Sequence, residues 1–315
     1  MQLRKISVLG GSGFVGSSIV AKLDQAGYAV TVLTRRRDSA KHLFLLPNVK
    51  VVECNVMDDH ALSTALSGAD AVVNLIGILH QNRRDSFDKV HHQLPARLAM
   101  ICEAQGIKRL VQMSSLQADK NAPSEYLRSK AAGEAALQAY DQKLDITIFR
   151  PSIIFGRGDS FTNLFAKLIK LLPVVLLAKP DAKFQPVWVE DVASCVATCI
   201  QNTGTYGQVY ELAGPKVYSF RELVQQVMTA LGVKRPIIGL CNSLSYVQAF
   251  MMELLPVKLM SRDNVRSMEV DSVSSSLFPA IFGVEPAPLE ALIPEYLVDS
   301  TQRGAYDRFR SFAAR

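Results

Sequence analysis

The chain has 315 residues and a mass of 34.6 kDa, with 49% hydrophobic and 20% charged residues, which excludes a disordered or low-complexity protein. Its 35 Lys and Arg against 29 Asp and Glu leave a net charge of +6 spread along the chain, which excludes an obligate nucleic-acid binder. The opening apolar stretch is too short for a secretory signal, so we expect a cytoplasmic protein. No apolar run spans a membrane, but a mean hydropathy of +0.13 leaves peripheral contact with its inner face open.

The cysteines and histidines predict no metal site and no disulfide framework. The five cysteines are an odd number without CxxC spacing, and the histidines form no HxxxH pair. We interpret the pair Cys195 and Cys199, four residues apart, as part of a helix core.

Short β-branched runs alternate with longer helical patterns in the first half of the chain. They predict strands at 6–9, 30–34, 49–54, 71–75, 110–114 and 146–149, and helices at 13–26, 59–67, 87–105 and 124–142. Gly27, Gly68 and Gly106 stand where helix C-caps are expected. This order predicts an α/β fold with a doubly wound parallel sheet, the Rossmann fold.

The alternation stops after Arg150-Pro151. We therefore predict a Rossmann domain made of residues 1–150 with 185–213, and a smaller interleaved C-terminal substrate-side or partner region made of 151–184 with 214–315. We interpret the apolar stretches 164–178 and 237–260 as ordinary core, with contact to a lipophilic partner as the alternative. In that alternative, Ser243, Ser245 and Glu253 would leave one face of a helix in 237–260 polar.

A glycine-rich turn follows the first predicted strand and opens the first helix: Gly10, Gly11, Ser12, Gly13, Phe14, Val15 and Gly16. Without Cβ atoms the backbone can approach a pyrophosphate, whose charge then lies at the positive end of the helix dipole. In this strand and helix context the turn predicts an NAD(P)-binding domain.

The end of the second predicted strand carries arginines where an NAD site would place an acid. Arg35, Arg36 and Arg37 follow Thr34, and Arg35 lies nearest the strand. A guanidinium there favours the 2′-phosphate of NADP(H) over NAD(H). The alternative is a solvated basic turn.

Tyr126 and Lys130 are four residues apart, on one face of a predicted helix. An adjacent ammonium lowers the pKa of a phenol, and we expect Lys130 to do so here. Ser114 ends the fifth strand, at the sheet edge where doubly wound folds bind ligands.

Together these motifs resemble the short-chain dehydrogenase/reductase superfamily, in its extended or atypical branch with the NAD-dependent epimerases and dehydratases, over about residues 5–215. The resemblance rests on the glycine turn, Asn74-Leu75-Ile76-Gly77, Ser114-Ser115, Tyr126 to Lys130, Arg150-Pro151-Ser152, Phe155-Gly156 and Val187 to Val192. Within the superfamily, the 74–77, 126–130, 155–159 and 185–187 segments are similar to those of nucleotide-binding accessory subunits of respiratory complex I and their bacterial relatives.

The resemblance implies roles for single residues. Tyr126 would be the general acid/base, Lys130 its partner, and Ser114 or Ser115 the hydroxyl that polarises a carbonyl. The cofactor-binding set comprises the glycine turn with Arg35, Arg36, Asn55, Val56, Leu75, Ile76, Gly77, Met113, Tyr126, Lys130, Pro151 and Ile153. Two positions depart from the family pattern: Leu116 stands where the hydroxyl is usual, and His91 or His92 stands where an Asn is usual.

Three functions stay open at this point. The first is an NADP(H)-dependent oxidoreductase acting on a lipophilic carbonyl or quinone-type substrate. The second is a non-catalytic NADP(H)-binding protein with a structural or assembly role, in contact with a respiratory complex or in quinone metabolism. The third, a nucleotide-sugar epimerase or dehydratase, is disfavoured because the later apolar stretches offer few charges to hold a sugar diphosphate.

Overall fold

The computed structural model describes residues 3–82, 84–254 and 259–297. Its strands are β1 (Lys5–Leu9), β2 (Ala29–Thr34), β3 (Val49–Glu53), β4 (Ala71–Asn74), β5 (Arg109–Met113), β6 (Asp145–Pro151), β7 (Ile154–Phe155), β8 (Val175–Leu177), β9 (Lys183–Phe184), β10 (Val187–Trp188), β11 (Gln208–Leu212), β12 (Tyr218–Ser219) and β13 (Ile237–Gly239). Its α-helices are α1 (Phe14–Gln25), α2 (Asp59–Leu66), α3 (Leu94–Gln105), α4 (Glu125–Gln138), α5 (Ser160–Leu171), α6 (Val189–Cys199), α7 (Phe220–Leu231), α8 (Asn242–Glu253), α9 (Arg262–Ser267) and α10 (Leu289–Leu297).

The chain divides into two compact units. Among the described residues, the first contains 3–82, 84–152, 189–212 and 274–285, and the second contains 153–188, 213–254, 259–273 and 286–297. The segment 274–285, which the sequence placed with the second region, thus belongs to the first unit. The end of the second region, 298–315, lies outside the described residues.

Seven strands of the first unit form one parallel sheet in the order β11-β6-β5-β4-β1-β2-β3. The chain moves outward from β1 in one direction through α1 and in the other through α3, and right-handed crossovers therefore place these helices on opposite faces. The predicted doubly wound fold is confirmed. Its topological switch point lies between β1 and β4, where such folds bind their ligands.

Local sequence explains most of the boundaries in this sheet. Strands β1, β4 and β5 are buried and largely apolar, as expected for strands covered on both faces. Gly27, Gly68 and Gly106 adopt positive φ at helix ends, as predicted, and Asp58 and Ser124 cap α2 and α4 with their side chains.

The predicted helix 87–105 contains a break. Residues Asp88–Gln93 form a π-helix that continues directly into α3. Pro95 lacks an N–H, so the carbonyl of His91 cannot receive the α-helical bond that would come from position 95. The helix widens at this point, and Gly133 of α4 packs so closely on the His91 carbonyl that a Cβ would overlap it.

The second unit has a separate core, in which α5, α7 and α10 pack together. Its strands form three short pairs, β7 with β10, β9 with β12 and β8 with β13. Asp159, from the 155–159 segment, is buried and caps α5 by accepting bonds from Thr162 and from the amide of Gly156. In the second unit, the 155–159 segment therefore provides the N-cap of α5.

The interpretation of 237–260 as ordinary core was wrong for much of the segment, of which 255–258 lie outside the described residues. Leu244, Val247 and Met251 of α8 and its C-cap residue Leu254 are all more than half exposed. Ser245 is buried instead of adding to a polar face. Across the described part of the chain, no helix combines the length and the apolar character needed to cross a bilayer.

Candidate functional site

The glycine turn lies between β1 and α1 with the geometry a phosphate-binding turn requires. Gly10 has φ of +78°, and its carbonyl accepts a bond from the amide of Gly13 at 3.1 Å. A Cβ at Gly16 would overlap that same carbonyl, whereas a Cβ at Gly13 would lie 3.3 Å from it and meet no other atom within 4 Å. Gly16 therefore allows α1 to pack against the turn, and Gly13 leaves open space at the helix start.

That space suits an anion. Gly13 is the N-cap of α1 without a side-chain capping bond, and the first turn of the helix contains no acidic residue. Its amide groups and the helix dipole are therefore available to a pyrophosphate. Gly11 packs its Cα between Val20 and Val32, so it tightens the turn against the core.

The end of β2 brings hydroxyl groups beside the arginines. The hydroxyl of Thr34 lies 3.5 Å from that of Ser12 and 3.2 Å from that of Ser39. Arg35 is 73% exposed in its side chain and pairs with Asp85 at 3.1 Å, while Arg36 is exposed. Arg35 is thus paired with an acid, Asp85, which the sequence did not predict to lie there.

The segments after β3 and β4 form the adjoining parts of the sheet edge. After β3, Asn55 is exposed and Val56 is buried. Asn74 lies fully buried at the end of β4, donates to Gln112 at 2.8 Å and accepts from the amide of Ile76 at 3.2 Å. This bond shapes the 74–77 turn, and the Gly10 position packs against its backbone at Leu75 and Ile76.

Lys130 lies beneath this turn. Its ammonium donates to the carbonyl of Met113 at 3.2 Å and stands 3.3 Å from where a Cβ of Gly77 would be. Burial lowers the pKa of Lys130 to about 8, although Glu134 opposes the change. The group therefore carries its charge at neutral pH and loses it under mildly alkaline conditions.

Tyr126 is partly buried, with its ring edge-on to Phe87 and His91. Lys130 lies 5.9 Å from the ring centroid, and the side chains of Tyr126 and Ser115 are hydrogen-bonded. The expectation of a lowered phenol pKa was wrong. Burial raises the pKa of Tyr126 and outweighs the hydrogen bond with Ser115, so the phenol keeps its proton.

The two serines after β5 have different partners. The Ser114 hydroxyl is buried and donates to Glu134, which also forms a two-point ion pair with Arg150. Ser115, one residue further, reaches Tyr126 instead. Leu116 is buried, and its amide donates to the carbonyl of Pro151 at 2.9 Å.

Sequence reasoning missed Glu134. Its carboxylate is 3% exposed and joins α4 to the ends of β5 and β6 through Ser114 and Arg150. The sequence feature that could have identified Glu134 is its position four residues after Lys130, one turn along the same helix face. An acid in that position holds the strand ends beneath the proposed catalytic pair.

Of the two histidines, His91 lies in the site. Its Nε2 accepts from the amide of Ile78 at 3.0 Å, so its Nδ1 donates to Ser129 at 2.9 Å. Ser129 in turn donates to the carbonyl of Tyr126 at 2.7 Å. Burial, helped by Lys130, lowers the pKa of His91 to about 2 and keeps the ring neutral. His92 is exposed and pairs with Asp88.

The last two proposed cofactor-binding residues, Pro151 and Ile153, belong to different compact units. Pro151 ends β6 in the first unit, paired with Leu212 of β11. Ile153 begins the second unit, two residues later. The other proposed site residues all belong to the first unit.

Comparison with known proteins identifies the family of this chain. The sequence profile of the NAD dependent epimerase/dehydratase family matches residues 6–213. A mitochondrial protein of Arabidopsis thaliana, NADH dehydrogenase (ubiquinone) 1 alpha subcomplex subunit 9, is 31% identical, with 85% of this chain and 70% of that protein covered. The ceramide reductase of Caulobacter vibrioides is 29% identical, with 75% and 73% covered.

Among solved structures, the fold is similar to that of DesIV, a dTDP-glucose 4,6-dehydratase from Streptomyces venezuelae. The TM-score is 0.74 at 20% identity, with 93% of this chain and 95% of that chain covered. The similarity extends over the Rossmann sheet whose glycine turn and Tyr126–Lys130 pair are described above. Because the family profile matches residues 6–213, the chain belongs to the NAD dependent epimerase/dehydratase family.

Proposed function

We propose that this protein is an NADP(H)-dependent oxidoreductase that reduces a lipophilic carbonyl or quinone-type substrate. The observation that carries the proposal is the grouping of Ser115, Tyr126 and Lys130 at the switch-point edge of the sheet. The hydroxyl contact that the family pattern places at position 116 is supplied here by Ser115, one residue earlier. Tyr126, the proposed proton donor, therefore has a hydroxyl partner although position 116 is a leucine.

The dinucleotide would be held by the glycine turn, by the 74–77 turn and by Lys130. The open space at Gly13 and the uncapped start of α1 fit its pyrophosphate. Arg35 and Arg36 would hold the 2′-phosphate, and the hydroxyls of Thr34 and Ser39 stand beside them. When bound, the nicotinamide supplies hydride transfer.

The protonation states support reduction over oxidation. Tyr126 keeps its proton because burial raises its pKa, so it can donate that proton to an oxygen on which negative charge develops. The Ser115 hydroxyl, which donates to the Leu116 carbonyl at 3.3 Å in the structure, would turn to donate a second hydrogen bond to the same region, and the Lys130 ammonium favours the phenolate that remains. The neutral His91 and Ser129 orient the backbone at Tyr126.

The substrate class is supported by composition and by one relative. Residues 160–180 and 223–252 of the second unit contain many large apolar side chains, which favour contact with a lipophilic group over a sugar. A relative with 29% identity is named for the reduction of a ceramide, a lipid. A lipophilic substrate is consistent with both observations.

A second candidate function is non-catalytic. The relative with 31% identity is named as a subunit of a respiratory NADH dehydrogenase, which favours a role in which bound NADP(H) stabilises the fold within or near such an assembly. A nucleotide that binds the native state stabilises it by mass action whether or not it reacts. On this alternative the phenol of Tyr126 would be dispensable.

Tyr126→Phe separates the two candidates. An active enzyme loses its proton donor, and the rate of NADPH oxidation with lipophilic ketones or quinones should fall about a hundred- to ten-thousandfold. NADPH affinity and thermal stability should stay near wild type. Tyr140→Phe is the matched control, because Tyr140 packs at the edge of the core. Equal single-turnover rates for Tyr126→Phe and wild type would refute the enzyme and favour the structural role.

A further inference from the structure

The large apolar side chains of helix α8 face solvent, whereas those of a core helix face the protein interior. Its buried positions are the small residues Ser245 and Ala249, which face the body of the second unit. At about 100° per residue, Val247, Phe250, Met251 and Leu254 fall on the opposite face. Their exposed fractions are 57%, 45%, 59% and 67%. We call these four residues the α8 face.

The strand pair beside α8 extends this apolar surface. Gln248 donates to the carbonyl of Leu176 at 3.1 Å, which holds α8 against β8. Leu176 and Ile238 are paired across β8 and β13, and both are about half exposed. Leu176 and Ile238 therefore add exposed apolar side chains beside the α8 face, and large exposed apolar patches mark interaction sites.

The orientation of α8 brings this patch toward basic residues. Ser245 bonds to the amide of Lys179 and Gln248 to Leu176, so α8 runs antiparallel to β8 and its C-terminal end points toward the start of that strand. There, Lys170 and the exposed Leu171 end α5. Arg235 reaches the carbonyl of Ile169 at 3.4 Å, which places the start of β13 at the same end.

The exposed charges at this end of the patch are basic. Beside α8, Glu269 accepts from the Tyr246 hydroxyl at 2.8 Å and pairs with Lys179 at 3.6 Å. Lys167, Lys170, Lys234 and Arg235 are exposed, and the segments 160–180 and 223–252 contain no carboxylate side chain. Glu253, the one acid of α8, is already paired with Arg262 at 3.0 Å. An apolar helix face flanked by lysine and arginine is the pattern of a helix that lies in the interface of an anionic bilayer.

We propose that the α8 face, with Leu176 and Ile238, docks this protein on an anionic phospholipid membrane. The apolar side chains would enter the headgroup boundary while Lys170 and Lys234 pair with lipid phosphates. A protein partner would need carboxylates to match the basic rim, and a second copy of the chain would set equal positive charges against each other. This proposal stands independently of the nucleotide site, all but one of whose residues lie in the first unit.

Vesicle co-sedimentation of the full chain tests it. We expect binding to vesicles of phosphatidylcholine mixed with phosphatidylglycerol, weak binding to phosphatidylcholine alone, and loss of binding as salt is raised. Val247→Asn combined with Met251→Gln should abolish binding, and Lys170→Ala with Lys234→Ala should weaken it about 25-fold, since each basic residue near an anionic surface contributes about 1 kcal/mol.

Matched controls lie in the first unit. Leu45→Gln replaces a leucine that is 89% exposed and Lys120→Ala an exposed lysine, and both should leave binding unchanged. Every variant should keep the thermal unfolding transition of the wild type, which shows that it is folded. Absence of vesicle binding by the wild type would overturn the proposal. So would concentration-dependent self-association, or capture of a protein partner, that Val247→Asn with Met251→Gln removes while vesicle binding persists.

Discussion

Selection of NADP(H) over NAD(H) should depend on Arg35 and be opposed by Asp85. These side chains form an ion pair at 3.1 Å, with Arg35 73% and Asp85 17% exposed. An exposed pair of this kind contributes at most about 1 kcal/mol. A charge-assisted contact with a 2′-phosphate contributes about 1.5–3 kcal/mol, so the phosphate should compete successfully for the guanidinium.

Two opposite changes follow from this balance. Arg35→Ala should lower NADPH affinity about ten- to a hundredfold and leave NADH affinity nearly unchanged. Asp85→Asn should raise NADPH affinity about two- to fivefold, because it frees the guanidinium and removes a negative charge from the phosphate site. Arg36→Ala should fall between wild type and Arg35→Ala.

Isothermal titration with both dinucleotides measures these effects, and its salt dependence reports the charge contribution. Arg37→Ala is the matched control, because the Arg37 guanidinium already lies over the Phe44 ring at 5.3 Å from its centroid. An unchanged ratio of NADPH to NADH affinity in Arg35→Ala would refute the reasoning and return the three arginines to a solvated basic turn.

Gly13→Val should abolish nucleotide binding in calorimetry while leaving the unfolding transition in place, because a Cβ there meets only the Gly10 carbonyl, at 3.3 Å. Gly16→Ala should destabilise the fold, because its Cβ would overlap that carbonyl. Wild-type affinity in Gly13→Val would show that the turn does not bind the phosphate. The native pKa of His91, about 2, lies below its unfolded value, so it contributes stability that is present above pH 6.5 and lost as the pH falls below it. His91→Asn should therefore show a smaller loss of unfolding free energy between pH 7 and pH 5 in urea titrations, and an identical pH dependence would contradict the buried neutral ring. Carbonyl reduction should decline as the pH rises through about 8, where Lys130 loses its proton, and a Lys130→Gln enzyme that retains this decline would assign it to another group.

Helix periodicity predicted which face of α4 carries the candidate side chains, but the sequence did not predict their electrostatics. The spacing of Tyr126 and Lys130 places both on one face of α4, as expected from helix periodicity alone. The direction of the phenol pKa was wrong because burial, which depends on the packing of Phe87 and His91 around the ring, outweighs the nearby hydrogen bond. Desolvation is a property of the assembled site and has no local sequence signal.

The two serines show the same limit. From sequence, Ser114 and Ser115 were equivalent candidates, because both follow the fifth strand. In the fold, successive residues at a strand end point in different directions, so Ser114 turns to Glu134 and Ser115 to Tyr126. The buried Glu134–Arg150 pair that takes up Ser114 joins residues 16 apart in the chain, and such pairing arises only when α4 packs on β6.

By itself the sequence determined the parallel sheet, the glycine turn and the helix caps, because these follow from local periodicity and from the freedom of glycine at positive φ. It also contained the cause of the π-helix, since Pro95 removes one backbone donor. Only the tertiary structure decided which charges and apolar groups are covered. Arg109 is 1% exposed because the carbonyls of Asp145, Cys199 and Ile200 converge on it, whereas the large side chains of α8 stay in solvent because small residues fill its inner face. Burial is decided by contacts between segments far apart in the chain, and no local pattern records them.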